Sequence, residues 1–362
     1  MELPRHGGNL EEMARIAGCS AQEILDFSAN INPLGLPEWF RPLMEQEIGH
    51  LSHYPDPSYE RVRCAVGRRF ALSPDEIALG NGSSELLFAI PRVLRPPWAV
   101  VPVPCYSDYH RALEVAEIPH TSLAGREEVA FAVDPRALEA AIDGQPPGGL
   151  VVTGHPSNPC GTLLDPTRML RLASRHPQHW FLVDEAFIDF CAQEQSLRAH
   201  RPPNVIILWS LTKILAIPGL RAGLCLASAA IVKRLTQTLP PWSVNHLACV
   251  TLERAMQDLD YVSRARSAVA GWRGQLALDL DSLGTLKVFP GAANYLLLKI
   301  RSSVTAADLR VRLLREHRIG VRDCSSYAAL DSSYMRVAVR TPSENARLVQ
   351  ALRSVLSSVG TQ

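Results

Sequence analysis

The chain contains four lysines, Lys213, Lys233, Lys287 and Lys299, so a lysine amine acting as a nucleophile has few candidates. Lys233 precedes Arg234 in the helical pattern from Ala229 to Leu239 and reads as part of a solvated helix face. Lys287 and Lys299 stand at the margins of short strands, where a charge usually marks the solvent end. Lys213 differs. It lies in Ser210-Leu211-Thr212-Lys213, after the apolar strand Val205-Ile206-Ile207-Leu208-Trp209 and before the turn Ile217-Pro218-Gly219-Leu220-Arg221. An amine among small hydroxyls, a glycine turn and an arginine has the surroundings an anionic cofactor requires. The space outside the carboxyl end of a strand is also where an open parallel sheet binds ligands.

Other strand ends carry residues that make chemical sense with Lys213. Asn158-Pro159-Cys160-Gly161 follows the strand at Val151, and Asp184-Glu185 ends Phe181-Leu182-Val183. Alone, Asp184 reads as an N-cap or turn residue. Gly80-Asn81-Gly82-Ser83-Ser84-Glu85 opens a helix, and its glycines, serines and free amides make a phosphate seat. It is neither GxGxxG nor a Walker loop, which disfavours a dinucleotide or nucleoside triphosphate. Pyridoxal 5′-phosphate needs an amine for its aldehyde, an anion for its ring nitrogen, a donor for its phenolate oxygen and hydroxyls or cations for its phosphate. Lys213, Asp184, Asn158 and the group Ser83, Ser84, Ser210, Thr212 and Arg221 supply these in turn. Tyr106, in Pro104-Cys105-Tyr106-Ser107-Asp108-Tyr109, is expected to stack on the ring; without that context it reads equally as a core aromatic.

These residues must be positioned by a scaffold, and its class is readable. Strands at Trp98–Val103, Ile118–Leu123, Gly149–Thr153, Trp180–Val183 and Val205–Trp209 alternate with helices, two of them opened by Asp134-Pro135 and Asp165-Pro166 as N-cap plus first-turn proline. That alternation predicts an α/β fold with a mostly parallel sheet covered on both faces. After Pro240-Pro241-Trp242-Ser243 the pattern changes to long helices, then strands at 294–300 and 334–339 with helices at 305–317 and 343–355, a smaller α+β domain. Ser20-Ala21-Gln22-Glu23 is a capping box for a short helix, and Phe27 to Gly35 reads as a surface turn. The expected division is an N-terminal arm and substrate loop over 1–45, a large domain over 46–240, and an interdomain helix with the small domain over 241–362.

Composition narrows the function classes. With 362 residues, 47% hydrophobic and 20% charged, the chain has the make-up of a globular protein with room for two domains. A formal net charge of +1 and no dense Lys/Arg cluster argue against nucleic acid as a partner. No apolar run approaches a membrane span of about 20 residues and the N-terminus lacks a signal-peptide core, so no membrane partner and a cytoplasmic location are expected. Eight cysteines without a CxxC pair suit reduced, mostly buried thiols. His50 and His53 form a lone HxxH with no nearby Cys or carboxylate pair to complete it, so a structural or surface role is expected and no metal.

Asn-Pro-x-Gly, Asp-Glu-Ala-Phe and Ser-Leu-Thr-Lys followed by Gly-Leu-Arg, in this order, resemble the fold-type I pyridoxal-phosphate enzymes of the aminotransferase superfamily over nearly the whole chain. His6-Gly7-Gly8-Asn9, Asp26 to Pro33, Asp184 to Phe190 and Pro241-Trp242-Ser243-Val244-Asn245 resemble its threonine-phosphate decarboxylase branch. The resemblance implies that Arg340 forks onto the substrate carboxylate, and that Arg322, His6, Gly7, Asn30 and Asn158 surround a phosphorylated amino-acid substrate. It also implies a homodimer in which Tyr54 reaches the cofactor phosphate of the neighbouring subunit. Phe187 stands where many relatives carry a tyrosine whose hydroxyl reaches the phenolate oxygen, and Cys160 replaces a common threonine.

The implied activity is decarboxylation of L-threonine O-3-phosphate to (R)-1-aminopropan-2-yl phosphate and CO2 in cobalamin biosynthesis, with Lys213 and Asp184 catalytic. The same set of residues also supports transamination of the histidinol-phosphate kind, because the choice rests on which bond at Cα is oriented for cleavage. A regulator that kept the fold is a third reading. Regulators of this superfamily carry an added DNA-binding domain, for which the chain shows no room, and Lys213, Asp184 and Arg340 argue for retained chemistry.

Overall fold

A computed structural model describes residues 7–199 and 201–357. In chain order its helices are α1 (Leu10–Ala17), α2 (Phe40–Glu47), α3 (Glu60–Phe70), α4 (Ser83–Leu94), α5 (Asp108–Val115), α6 (Pro135–Ile142), α7 (Pro166–Arg175), α8 (Leu211–Ile214), α9 (Ala229–Thr238), α10 (His246–Ala255), α11 (Leu259–Asp281), α12 (Ala306–His317) and α13 (Pro342–Ser357). Its strands are β1 (Leu25–Asp26), β2 (Ile77–Asn81), β3 (Ala99–Val103), β4 (His120–Ala124), β5 (Leu150–Gly154), β6 (Trp180–Asp184), β7 (Val205–Trp209), β8 (Ala222–Leu226), β9 (Leu286–Val288), β10 (Tyr295–Ile300), β11 (Ile319–Gly320), β12 (Arg322–Asp323) and β13 (Tyr334–Ala338).

Seven strands form the main sheet in the order β2-β8-β7-β6-β5-β3-β4. Six of them run in the same direction, and β8 is antiparallel to both of its neighbours, β2 and β7. Residues of β3, β5, β7 and β8 are buried throughout, as in a sheet covered by helices on both faces. The strand β8, Ala-Gly-Leu-Cys-Leu, is absent from the pattern expected above because small residues and a cysteine mask its apolar character. Gly223 within it is required: a Cβ there would lie 2.1 Å from the backbone nitrogen of Ser83. The aspartates before α6 and α7 cap as expected, accepting from Arg136 N and Arg168 N with proline at the first turn.

A second sheet, β12-β13-β10-β9, is antiparallel. The segment at 25–35 is not a surface turn. Here β1 pairs in parallel with β11, Ala338 N donates to Phe27 O at 2.8 Å, and Phe27, Ser28, Asn30 and Asn32 are buried. Ser20 N and Oγ both donate to the Glu23 carboxylate, but the helix they cap is a single 3-10 turn, Ala21–Glu23. All eight cysteines are free thiols, five of them buried. No helix among the described residues is long and apolar enough to cross a membrane.

Lys287 and Lys299 do more than mark strand ends. Both donate to Glu127 at 2.7 Å, and Tyr334 Oη donates to the same carboxylate at 2.6 Å. Glu127 lies just beyond β4 at the edge of the main sheet, whereas its partners lie in β9, β10 and β13, so this cluster ties the two sheets together. Beside it Phe131, Phe289 and Tyr334 pack with ring centroids 5.7–6.0 Å apart. Hydrogen bonds from Lys287, Lys299 and Tyr334 hold the Glu127 carboxyl down at about 2. A depressed carboxyl pKa stabilises the fold above the unfolded value, about 4.3, and that contribution fades as pH falls toward the folded value. Replacing Glu127 with Gln is expected to lower stability at pH 7 by about 1 kcal/mol after solvent screening. In urea unfolding the gap from the parent protein should narrow progressively from pH 5 to pH 3; a gap independent of pH would contradict the ionic origin.

Candidate active site

The carboxyl ends of β6 and β7 and the N-termini of α4 and α8 converge on one cavity of about 180 Å³. Lys213, Asp184, Asn158, Tyr106, Ser83, Ser84, Ser210, Thr212, Arg221, Asn30, Gly7 and Arg322 all line it. His6 lies outside the described residues. Tyr54 and Arg340 do not reach the cavity.

The backbone explains why Lys213 stands where it does. The strand β7 ends at Trp209, Ser210 is extended, and one helical turn, α8, carries Lys213 back over the sheet edge. Asn32 secures that turn: its N–H donates to Lys213 O at 3.1 Å and its side-chain amide donates to Ile214 O at 2.7 Å. The sequence reading of Asn32 as a turn residue therefore missed its task. Burial pushes the Lys213 amine down to about 8, Arg221 and Arg336 push in the same direction, and Asp184 opposes them.

Asp184 ends β6, and its carboxylate is held from two sides. Tyr109 Oη donates to Oδ2 at 2.8 Å and Ala186 N donates to Oδ1 at 3.0 Å. Burial raises its pKa, while these two hydrogen bonds and the charge of Lys213 oppose the rise. A desolvated carboxylate in such a cavity favours a cationic N–H partner. Asn158 is presented by the loop 155–164, which a buried histidine anchors. His155 Nδ1 accepts from Leu164 N at 3.0 Å, which leaves Nε2 as the donor to Gln195 O at 2.6 Å. Burial lowers the His155 pKa to about 4, so the ring stays neutral and the loop stays fixed through the physiological range.

Opposite, Gly82 is the N-cap of α4, with Ser83 and Ser84 in the first turn. Gly82 has φ +75°, and a Cβ there would lie 2.3 Å from the Arg221 guanidinium. Glycine is thus needed both for the left-handed backbone and for the close approach of Arg221 to the helix N-terminus. Ser210 and Thr212 hydroxyls lie 2.8 Å apart on the same side. Helix amides, hydroxyls and a guanidinium together form an anion cradle.

The structure corrects one assignment. Arg340 lies past the end of β13, where Glu344 in the first turn of α13 takes its Nη2 at 2.7 Å and Asp26 O takes its Nη1 at 3.2 Å. Arg336, inside the same strand, lines the cavity and donates to Ser28 O at 2.7 Å and to Asn158 Oδ1. Sequence reasoning chose the terminal arginine of Tyr334 to Arg340; the pattern alone gives both arginines the same strand face. Tyr109, Tyr327 and Ser28 were also missed. Arg322 lies over the Tyr327 ring at 5.4 Å and donates to Ser326 Oγ at 3.4 Å. Tyr54 is 81% exposed and packs on Trp242 with ring centroids 4.8 Å apart.

These residues fit pyridoxal 5′-phosphate: a titratable amine, a buried carboxylate braced by a tyrosine, and an anion cradle that Cβ atoms at positions 82 and 223 would destroy. Because the Lys213 amine titrates near 8, its rate of covalent capture of pyridoxal phosphate should rise with pH and level off above that value; stopped-flow absorbance measures it. A Gly82→Ala protein should keep its circular dichroism spectrum yet bind pyridoxal phosphate at least about tenfold more weakly, because the added Cβ displaces Arg221. Unchanged affinity would remove Arg221 from the cradle.

Residues 22–352 match the family described as aminotransferase class I and II. The chain is 40% identical over 356 residues to the adenosylcobalamin biosynthesis bifunctional protein CobDQ of Leptospira interrogans, covering 98% of this chain and 41% of that protein. It thus spans about two fifths of that relative's length. To the threonine-phosphate decarboxylase of Salmonella typhimurium it is 36% identical over 361 residues, covering 98% of this chain and 97% of the relative. The crystal structure of the histidinol-phosphate aminotransferase from Clostridium acetobutylicum superposes with a TM-score of 0.86 at 25% identity, covering 92% of this chain and all of the other. With a family match over most of its length, a seven-stranded mixed sheet of the fold-type I kind and these relatives, the chain belongs to the aminotransferase class I and II family.

Proposed function

We propose that this protein is a pyridoxal-phosphate-dependent carboxy-lyase that decarboxylates L-threonine O-3-phosphate to (R)-1-aminopropan-2-yl phosphate and CO2, for cobalamin biosynthesis. The observation that carries this reading is the presence of three guanidinium groups, Arg221, Arg322 and Arg336, in one cavity with Lys213 and Asp184. Their protein partners are neutral oxygens: Pro218 O, Ser326 Oγ, Asn158 Oδ1 and Ser28 O. Three cations that have no carboxylate partner among the described residues match three anions, the cofactor phosphate, the substrate phosphate and the substrate carboxylate. Relatives named for this activity, and for a bifunctional adenosylcobalamin enzyme, support the assignment.

When bound, pyridoxal phosphate supplies an aldehyde for amines and an electron-accepting ring that stabilises negative charge at Cα. Lys213 would hold the cofactor through Nζ, and the same amine, whose pKa burial lowers to about 8, would serve as the proton donor toward Cα of the substrate. Asp184, braced by Tyr109, would keep the ring nitrogen protonated. Of the residues that line the cavity, Asn158 would donate to the phenolate oxygen, Tyr106 would cover a ring face, and Ser83, Ser84, Ser210, Thr212 and Arg221 would hold the phosphate. Arg336, in place of Arg340, takes the substrate carboxylate, and its planar fork suits a bidentate hold. Arg322, with Gly7, Asn30 and the N-terminal loop, receives the substrate phosphate. The exposed apolar face formed by Ile48, Leu51, Tyr54 and Trp242 is where a homodimer would form, with Tyr54 serving the partner's site. We place the enzyme in the cytoplasm, with residues 1–45 as arm and substrate loop, 46–240 as the cofactor domain and 241–362 as the small domain.

Transamination of histidinol phosphate is the second reading, favoured by the 0.86 superposition. Histidinol phosphate itself carries no carboxylate, which leaves Arg336 without an anion from that substrate. The test is incubation of holoenzyme with threonine phosphate and no keto acid. Sustained CO2 release over many turnovers supports the decarboxylase; a single turnover ending in the pyridoxamine form would sink it. Lys213→Ala should give no borohydride-trapped lysyl adduct. Arg336→Gln should lower kcat/KM by about 100-fold or more, the cost of leaving a carboxylate without its charged hydrogen-bond partner. Arg340→Gln should stay within about tenfold of the parent.

A further inference from the structure

The helix α2 ends at Glu47, and the 3-10 turn Ile48–Ser52 that follows carries His50. Three residues apart, Glu47 and His50 share one face. The chain then returns 199 residues later, where His246 is the first residue of α10. His50 Nδ1 and His246 Nε2 each lie 2.8 Å from the same Glu47 Oε2, and the three candidate ligand atoms are all within 4.8 Å of one another. The two imidazole rings meet edge to face at 5.6 Å. The trio opens onto a cavity of about 400 Å³, also lined by His53. Of the HxxH pair, for which the sequence showed no nearby Cys or carboxylate pair, His50 thus meets one carboxylate from the preceding helix and a histidine from across the fold, while His53 only lines the cavity.

From this arrangement we infer a divalent-metal site for zinc, ligated by Glu47, His50 and His246. Two imidazoles and one carboxylate form a three-ligand N/O set of the kind zinc takes while keeping a further position open. In a tetrahedron with zinc bonds of 2.0–2.1 Å the ligand atoms stand roughly 3.3 Å apart. The two 2.8 Å contacts therefore need to open by about half an ångström, a movement that side-chain torsions accommodate. The site is separate from the cavity holding Lys213, since the two share no lining residue. It would cross-link the segment following α2 to the start of α10. That helix start also holds the loop before Arg221, through Asn245 Nδ2 donating to Leu220 O at 3.0 Å. Metal in this position would brace two segments otherwise joined there by hydrogen bonds to one carboxylate oxygen.

The test uses the pyridoxal-phosphate-loaded protein, stripped with a chelator and titrated with zinc alone against a chromophoric competitor. A single zinc per chain is expected, with a rise in the thermal midpoint that chelator reverses. Glu47→Gln and His246→Gln should each weaken zinc binding roughly tenfold or more, with far-ultraviolet circular dichroism unchanged. Cobalt(II) in place of zinc should give weak visible bands without a thiolate charge-transfer band, which separates this site from binding at Cys249 in the same cavity. The inference is overturned by the absence of stoichiometric uptake, by zinc affinity in both variants equal to that of the parent protein, or by a thiolate band. Decarboxylase activity plays no part in these readouts, so the zinc site and the proposed reaction can fail separately.

Discussion

Lys213 carries its amine into a pocket where Arg221 and Arg336 repel a proton from it and Asp184 attracts one, with burial tipping the balance toward the neutral form. An amine must be unprotonated to attack a carbonyl, so this arrangement of charge readies Lys213 near neutral pH instead of near 10.5. Most of the fold serves to hold that arrangement. The parallel strands deliver Asp184 and Lys213 to one edge, the antiparallel β8 returns the chain from Arg221 alongside β7, and glycines at 82 and 223 let helix, strand and guanidinium meet without intervening side chains. Beneath the edge, Arg198 bridges Glu185 and Asp189, and Asp189 also accepts from Trp209 Nε1 at 2.6 Å. These buried bonds join the end of β6 to the end of β7, so the carboxylate and the lysine are presented on a mutually braced pair of strands.

What was legible in the sequence follows from how local each signal is. Alternating strands and helices, the capped helices after Asp134 and Asp165, and the cluster around Lys213 are written in residue types and spacing within short windows. The parallel sheet and the convergence of Asp184, Asn158, Arg221 and the serines followed from those windows, because strand ends in this architecture meet. The missed elements depend on contacts distant in sequence. Asn32 caps the lysine turn from 181 residues away, and Tyr109 reaches Asp184 from 75 residues away. Nothing local distinguishes either from a turn asparagine or a core tyrosine. The choice between Arg336 and Arg340 failed for a related reason: both fall on the same face of a period-two pattern, and only the position where β13 ends, with Glu344 waiting in α13, separates them.

The N-terminal segment illustrates how much an irregular stretch can contribute. It accepts from Arg336 at Ser28, from Arg340 at Asp26 and from Ala338 at Phe27, and its Asn32 reaches α8. A segment of few regular residues thus touches both the strand that carries the cavity-lining Arg336 and the helix that carries the lysine. Glu127, on the opposite side, couples the two sheets by charge. The small sheet is held by a backbone hydrogen bond from Ala338 to Phe27 and by the ionic cluster at Glu127. These two attachments differ in their response to salt and acid.

The resting engagement of Arg336 has a consequence for turnover. Its two Nη groups donate to Asn158 Oδ1 and Ser28 O while the buried Nε has no partner among the described residues, so under the proposed reaction an arriving carboxylate would exchange with internal oxygens at the Nη positions. Under the proposed reaction the ligand loses that carboxylate as CO2, and the arginine is then free to re-engage its own loop. The site resets itself by the same bonds that competed with the substrate at entry. Product discrimination would then be built into the empty enzyme: the competitor that substrate must displace is the one that helps expel what the reaction leaves behind.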